Sequence, residues 1–114
     1  MLKSANRLKK RKEFAYLYNN GRAVHSANIT LVSLPTKNRT LKIGFSVSKK
    51  IGKANVRNFV KRRMRACVRD LVSQMLDNHN VVFICKAGVE SISYPEMCQQ
   101  IKTLVTKAGL FKNA

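Results

Sequence analysis

The sequence predicts an α+β fold, a small sheet covered by helices with its elements in the order helix, strand, strand, helix, strand, helix. Three observations carry this expectation. The apolar residues switch several times between helical spacing and alternation or short continuous runs. Asn, Gly and Pro gather where the spacing switches. No repeat or linker divides the 114 residues, a length close to the commonest domain size. A hydrophobic content of 45% is ordinary for a globular chain and excludes a disordered basic tail. Residues 1–114 are therefore expected to form one domain, with loose ends at 1–10 and 110–114.

Phe14, Leu17 and Tyr18 recur at helical spacing and are followed by Asn19, Asn20 and Gly21, which predicts a helix over residues 11–20 closed by a left-handed glycine. Residues 28–34 and 41–47 are rich in β-branched and apolar side chains, and Pro35 to Arg39 between them reads as a turn, predicting a hairpin. In the next helix Val60, Met64, Cys67, Val68, Leu71 and Met75 form one apolar stripe, flanked by Lys61, Arg65 and Arg69 with Arg62 beside them. The run Val81 to Cys85, bounded by Asn78-His79-Asn80, predicts a buried strand. Ser93 and Glu96 have capping-box spacing, Pro95 suits a first turn, and Met97, Ile101, Leu104, Val105 and Ala108 carry a last helix to Gly109.

Charge sets the kind of partner. With 23 Lys plus Arg against five Asp plus Glu the formal charge is +18, which repels itself and favours polyanions. Nine of these cations lie between Ser48 and Asp70, with no acid among them. A solvated helix mixes Glu with Lys, whereas here neighbours four apart repel by a few tenths of a kcal/mol each. The basic stripe is therefore expected to meet phosphates. Arg57 and Asn58 are expected at the helix start, where free N–H groups and the positive dipole end also favour an anion, and Lys53, Lys61, Arg62 and Arg65 extend that surface. Arg63 projects to another side of the helix and is left out.

Several functions are disfavoured by what the chain does not bring together. No apolar run reaches the roughly 18 residues of a membrane span and no secretory signal is legible, so a cytoplasmic protein without membrane contact is expected. Cys67, Cys85 and Cys98 are odd in number and widely spaced; neither a disulfide framework nor a zinc site is suggested, and buried free thiols are expected. The five acids, at positions 13, 70, 77, 90 and 96, are too scattered to hold the metals of a self-sufficient nuclease. His25 and His79 read as surface imidazoles and not as an acid–base pair. No catalytic residue, metal ligand or chain-bound cofactor is therefore expected.

Lys49-Lys50-Ile51-Gly52-Lys53-Ala54, followed by Arg57-Asn58 and then Lys61-Arg62 and Arg65, resembles the signature of the bacterial ribonuclease P protein component. Arg7-Leu8, Phe14, Tyr18, Gly21 and the segment Gly44 to Ser48 extend the resemblance over nearly the whole chain. Two positions depart from it: Phe59 ends the triplet usually written Arg-Asn-Arg, and Asn55 replaces a common Val.

The resemblance implies a small α/β sandwich with a left-handed βαβ crossover, where the general handedness rule would give a right-handed one. It also implies a subunit of a ribonucleoprotein that removes the 5′ leader of precursor tRNA, with the chemistry carried by a large RNA and its Mg2+ ions. The implied partners are that RNA, one per chain, and the precursor tRNA, with no protein partner. Lys53, Arg57, Asn58, Lys61, Arg62, Arg65 and Arg69 are assigned to the large RNA. Phe14 and Tyr18 would read as core from periodicity alone; the resemblance places them in a groove for the single-stranded leader, with Ser46, Ser48 and Lys49 as its other wall. No stacking role is carried over to Val32. A ribosomal or nucleoid binding module is the alternative that explains the charge equally well.

Overall fold

In the computed structural model, which describes residues 6–37 and 39–112, three helices pack on one four-stranded sheet. The elements are α1 (Arg11–Asn20), β1 (Arg22–His25), β2 (Ile29–Pro35), β3 (Lys42–Ser46), α2 (Ala54–Arg69), β4 (His79–Cys85) and α3 (Tyr94–Lys107). The sheet order is β1-β2-β4-β3, antiparallel except that β3 runs parallel to β4.

β4, like its neighbour β2, takes an interior place because it has apolar side chains for both faces. Val81, Phe83 and Cys85 enter the larger core beneath α2 and α3, while Val82 meets Leu8, Leu17 and Val32 under α1 and Ile84 packs beside them. The expected hairpin of residues 28–34 with 41–47 does not form: β2 and β3 each pair with β4 from opposite sides. The turn at Pro35 reverses the chain but does not choose its neighbour. The hairpin instead joins β1 to β2, with the N–H of Ser26 donating to the carbonyl of Ile29 at 2.8 Å. β1 is an extra strand relative to the expected order. Its four residues, Arg-Ala-Val-His, lie at the sheet edge, where only Val24 and Ala23 are apolar.

α1 spans the expected residues, but Gly21 is extended (φ −79°) and not left-handed. Glycine is needed there for space, since a Cβ would lie 2.5 Å from both the Leu17 carbonyl and Val32 Cγ1. α2 stops at Arg69, so its buried stripe is Val60, Met64, Cys67 and Val68. Leu71 and Met75, expected to continue it, flank a 3₁₀ turn, and Met75 is buried through a bridge to Phe111. In α3 the Ser93 Oγ accepts from the Glu96 N–H at 3.2 Å, half of a capping box; the Glu96 carboxylate instead accepts from Gln100 Nε2 at 3.3 Å.

The cysteine expectation fails at two of three positions. Cys67 on α2 and Cys98 on α3 form a disulfide, because the packing of these helices brings residues 31 apart in sequence to a Cα separation of 5.1 Å. Only Cys85 is a buried free thiol. Its S–H donates to Met64 Sδ at 3.2 Å, and burial pushes its pKa up to about 12.

The described parts of the segments expected to be loose, residues 6–10 and 110–112, make contacts with the folded body. Leu8 is buried, its N–H donates to the Ile43 carbonyl at 2.9 Å, and Asn6 Nδ2 reaches the Leu41 carbonyl at 2.7 Å. At the other end Leu110 is buried and the Lys112 N–H donates to the Gln74 carbonyl at 2.8 Å. The rest of both expected loose ends, 1–5 and 113–114, lies outside the described residues.

Candidate nucleic-acid interface

α2 buries one side against the sheet and α3 and turns the adjacent side outward. Residues three and four apart share a helix face, so Asn55, Asn58, Lys61, Arg62 and Arg65 line one open concavity. Arg62 and Arg65 continue past Ala66 to Arg69 at the helix end. Arg69 lies 3.8 Å from Asp70, an exposed pair worth about 0–1 kcal/mol, so it retains most of its attraction for an outside anion.

The start of α2 differs from expectation. Lys53 is the N-cap and the Arg57 N–H already donates to its carbonyl at 3.0 Å, so the open N–H groups of the first turn belong to Ala54, Asn55 and Val56. Arg57 is half-buried and its Nε donates to the Gly52 carbonyl at 3.2 Å. It holds the preceding turn against the helix while leaving its terminal nitrogens for other contacts. Asn55, noticed in the sequence only as a departure, is the residue that puts an amide side chain beside the positive end of the helix.

A second cavity of about 320 Å³ lies between the N-terminal segment, β3 and α2. Lys61 and Arg65 form its α2 wall, Arg7 and Lys9 face them, and Phe14 with Phe45 supplies aromatic surface. Phe14 can approach because β3 has a glycine: a Cβ on Gly44 would lie 2.6 Å from Phe14 Cζ. Tyr18, 45% exposed, follows one turn later with its ring centroid 6.4 Å from that of Phe14. Lys61 and Arg65 join the cavity to the basic concavity, and of the residues expected to form a groove only Phe14 lines the cavity, Tyr18 and Ser46 lying outside its lining. Val32 lies on the sheet beneath it, buried against Leu17. Ser46 pairs in register with Ile84 and so points to the same sheet face as Gly44. Ser48 and Lys49 are exposed beyond the strand end and line neither cavity.

Sequence reasoning missed Arg7 and Lys9, whose place opposite α2 depends on the bridge between Arg7 and Ile43. It also left out Arg63, which stacks on Phe59 at 4.6 Å and lies 5.7 Å from the Tyr94 ring centroid. The histidines are peripheral: His25 Nδ1 shares a 3.0 Å hydrogen bond with Thr30 Oγ1, and His79 Nδ1 donates to the Asp77 carbonyl at 2.8 Å. Among the described residues no three His, Cys, Asp or Glu side chains converge as a metal site would require, and no helix is long and apolar enough to cross a membrane.

Beside this basic helix face and aromatic-lined cavity stands a family match: a protein-family model described as Ribonuclease P matches residues 2–109. The chain belongs to the ribonuclease P protein family. It is 35% identical over 112 residues to the ribonuclease P protein component of Streptococcus thermophilus, covering 98% of this chain and 100% of that one. The corresponding protein of Caldanaerobacter subterraneus subsp. tengcongensis is 33% identical, with 98% and 97% covered. The fold matches that of the Staphylococcus aureus RNase P protein with a TM-score of 0.88 at 24% identity, covering 96% of this chain and 100% of that one. The Thermotoga maritima protein matches with a TM-score of 0.81 at 19% identity, covering 89% and 96%. Membership makes the chain a protein subunit of the ribonucleoprotein endoribonuclease ribonuclease P, acting with its RNA subunit in removal of the tRNA 5′ leader.

Proposed function

We propose that the outer face of α2 binds the RNA subunit of ribonuclease P, one RNA per chain, and that the groove between α1 and the sheet takes the 5′ leader of precursor tRNA. Lys53, Arg57, Asn58, Lys61, Arg62, Arg65 and Arg69 contact the RNA subunit, and Asn55 joins them. Phe14 and Tyr18 stack on leader bases, with Ser46 on the sheet and Ser48 and Lys49, outside the cavity, meeting the leader beyond the strand end.

The observation that carries this reading is the convergence of Asn55, Asn58, Lys61, Arg62 and Arg65 on one concavity whose lining includes no acid. Phosphates supply the charge that the fold withholds. In this reading hydrolysis belongs to the RNA and its Mg2+, and the scatter of the five acids along the sequence supports that division. The protein's part is to bind, orient and discriminate in the cytoplasm. The test is reconstitution: purified chain with Mg2+ is expected to leave precursor tRNA uncut until the cognate RNA is added, and the tagged chain is expected to retain one large structured RNA at equal stoichiometry. Cleavage by rigorously RNA-free protein, or retention of ribosomal RNA instead, would overturn the reading.

A further inference from the structure

We propose that Phe59, backed by Arg63, is a base-stacking contact on the rim of the α2 face that takes one unpaired base of the RNA subunit. The inference rests on α2 being the RNA-subunit interface and adds to it a contact of a different kind. Among the described residues the exposed large hydrophobic side chains are Tyr16, Tyr18 and Phe59, and only Phe59, 41% exposed, lies on α2. It follows Asn55 by one turn and precedes Arg62 by three residues, so it borders the residues that line the concavity.

Its orientation is fixed from behind. The Arg63 guanidinium carbon lies 4.6 Å from the Phe59 ring centroid and 5.7 Å from that of Tyr94 on α3, so one cation ties the exposed ring to the neighbouring helix. A ring held in this way loses little conformational freedom when a base lies against it. A bare phosphate gains nothing from Phe59, whereas the face of a splayed base stacks on an aromatic ring beside a guanidinium. An apolar peptide could also cover the ring, but the segment from Lys49 to Arg69 contains no acid and the chain carries +18, so the surroundings select a polyanion.

The chain has no Trp and three Tyr, so Phe59→Trp creates a single tryptophan at the site that can be excited apart from the tyrosines. Titration with the RNA subunit is expected to quench its emission at the concentration at which binding saturates, while Tyr16→Trp on α1 stays bright. Phe59→Leu keeps the apolar bulk without the π-face and is expected to weaken RNA binding about 5-fold to 100-fold. The salt slope should stay unchanged, because no phosphate contact is lost. Phe59→Tyr should bind as the parent does. Bound but unquenched Phe59→Trp, or parental affinity in Phe59→Leu, would reduce the Phe59–Arg63–Tyr94 cluster to a clamp between helices. Emission that changes with protein concentration alone would assign the ring to a second copy of the chain. If the parent protein itself does not bind the RNA subunit, it is the interface reading that fails.

Discussion

Removing the link between α2 and α3 tests the packing on which the basic face depends. The Cys67–Cys98 disulfide closes a loop with a sequence separation of 31. In the chain-entropy account a loop of that length restricts the unfolded state by about 12 cal/mol/K, or about 3.7 kcal/mol at 25 °C. Taking roughly 2.1 cal/mol/K per residue, the 114-residue chain unfolds with an entropy near 0.24 kcal/mol/K, so losing the link should lower Tm by about 15 °C. The assay is a thermal melt of protein purified without reductant, repeated with dithiothreitol and with Cys67→Ser/Cys98→Ser. Alkylation supplies the control. Cys85 should react only after unfolding, being buried and held as the thiol, while Cys67 and Cys98 should react only after reduction. Three reactive thiols in unfolded, unreduced protein, or a melt that reductant shifts by less than about 3 °C, would refute the reasoning. The side chains proposed to contact RNA all remain in the double variant, so saturating RNA subunit should recover much of the lost stability by mass action.

Arg65 lines both cavities, and Arg65→Ala should lower the magnitude of the log affinity against log salt slope by nearly one; an unchanged slope would remove it from the contacts. Phe14→Ala and Tyr18→Ala should each weaken precursor tRNA binding by holoenzyme about 5-fold to 100-fold while barely changing mature tRNA affinity, and equal losses for both tRNAs would place the leader elsewhere. Gly44→Ala would bring a methyl to 2.6 Å from Phe14 Cζ and should reproduce the Phe14→Ala defect through displacement of the ring. Combining the two should add little beyond either alone, because both act on one ring; parental precursor affinity in Gly44→Ala would show that the seating of the ring is unimportant.

The helices were legible because each leaves a local pattern, although the apolar stripe of α2 runs on past its end at Arg69. α1 carries its apolar face and terminal glycine, and α3 carries Ser93, Pro95 and the Met97–Ile101–Leu104–Val105 stripe. Strand existence was legible for β2, β3 and β4 for the same reason, but strand pairing was not. Pairing depends on which run can be buried on both faces, a property of the assembled layers that neither Pro35 nor the lengths of β2 and β3 reveal. β1 escaped notice because an edge strand needs few apolar residues, and the Cys67–Cys98 pair because helix packing, not spacing, brings the two sulfurs together.

The candidate site divides along a related line. Lys61, Arg62 and Arg65 stood out because the sequence places no acid near them, and the fold brings none into the concavity they share. Arg57 shows the opposite case: its Nε is satisfied by the Gly52 carbonyl, so part of what read as free charge fixes the turn ahead of α2. Arg63 goes further, since its guanidinium lies against Phe59 and Tyr94, aromatic partners that a count of charges does not register. Net charge identifies the polyanion, but it cannot separate cations that meet phosphate from cations that shape the surface around them. That division comes from the partners each guanidinium finds within the fold. It is why Arg65 should contribute one phosphate contact to the salt slope while Arg63 should act through the orientation of an aromatic ring.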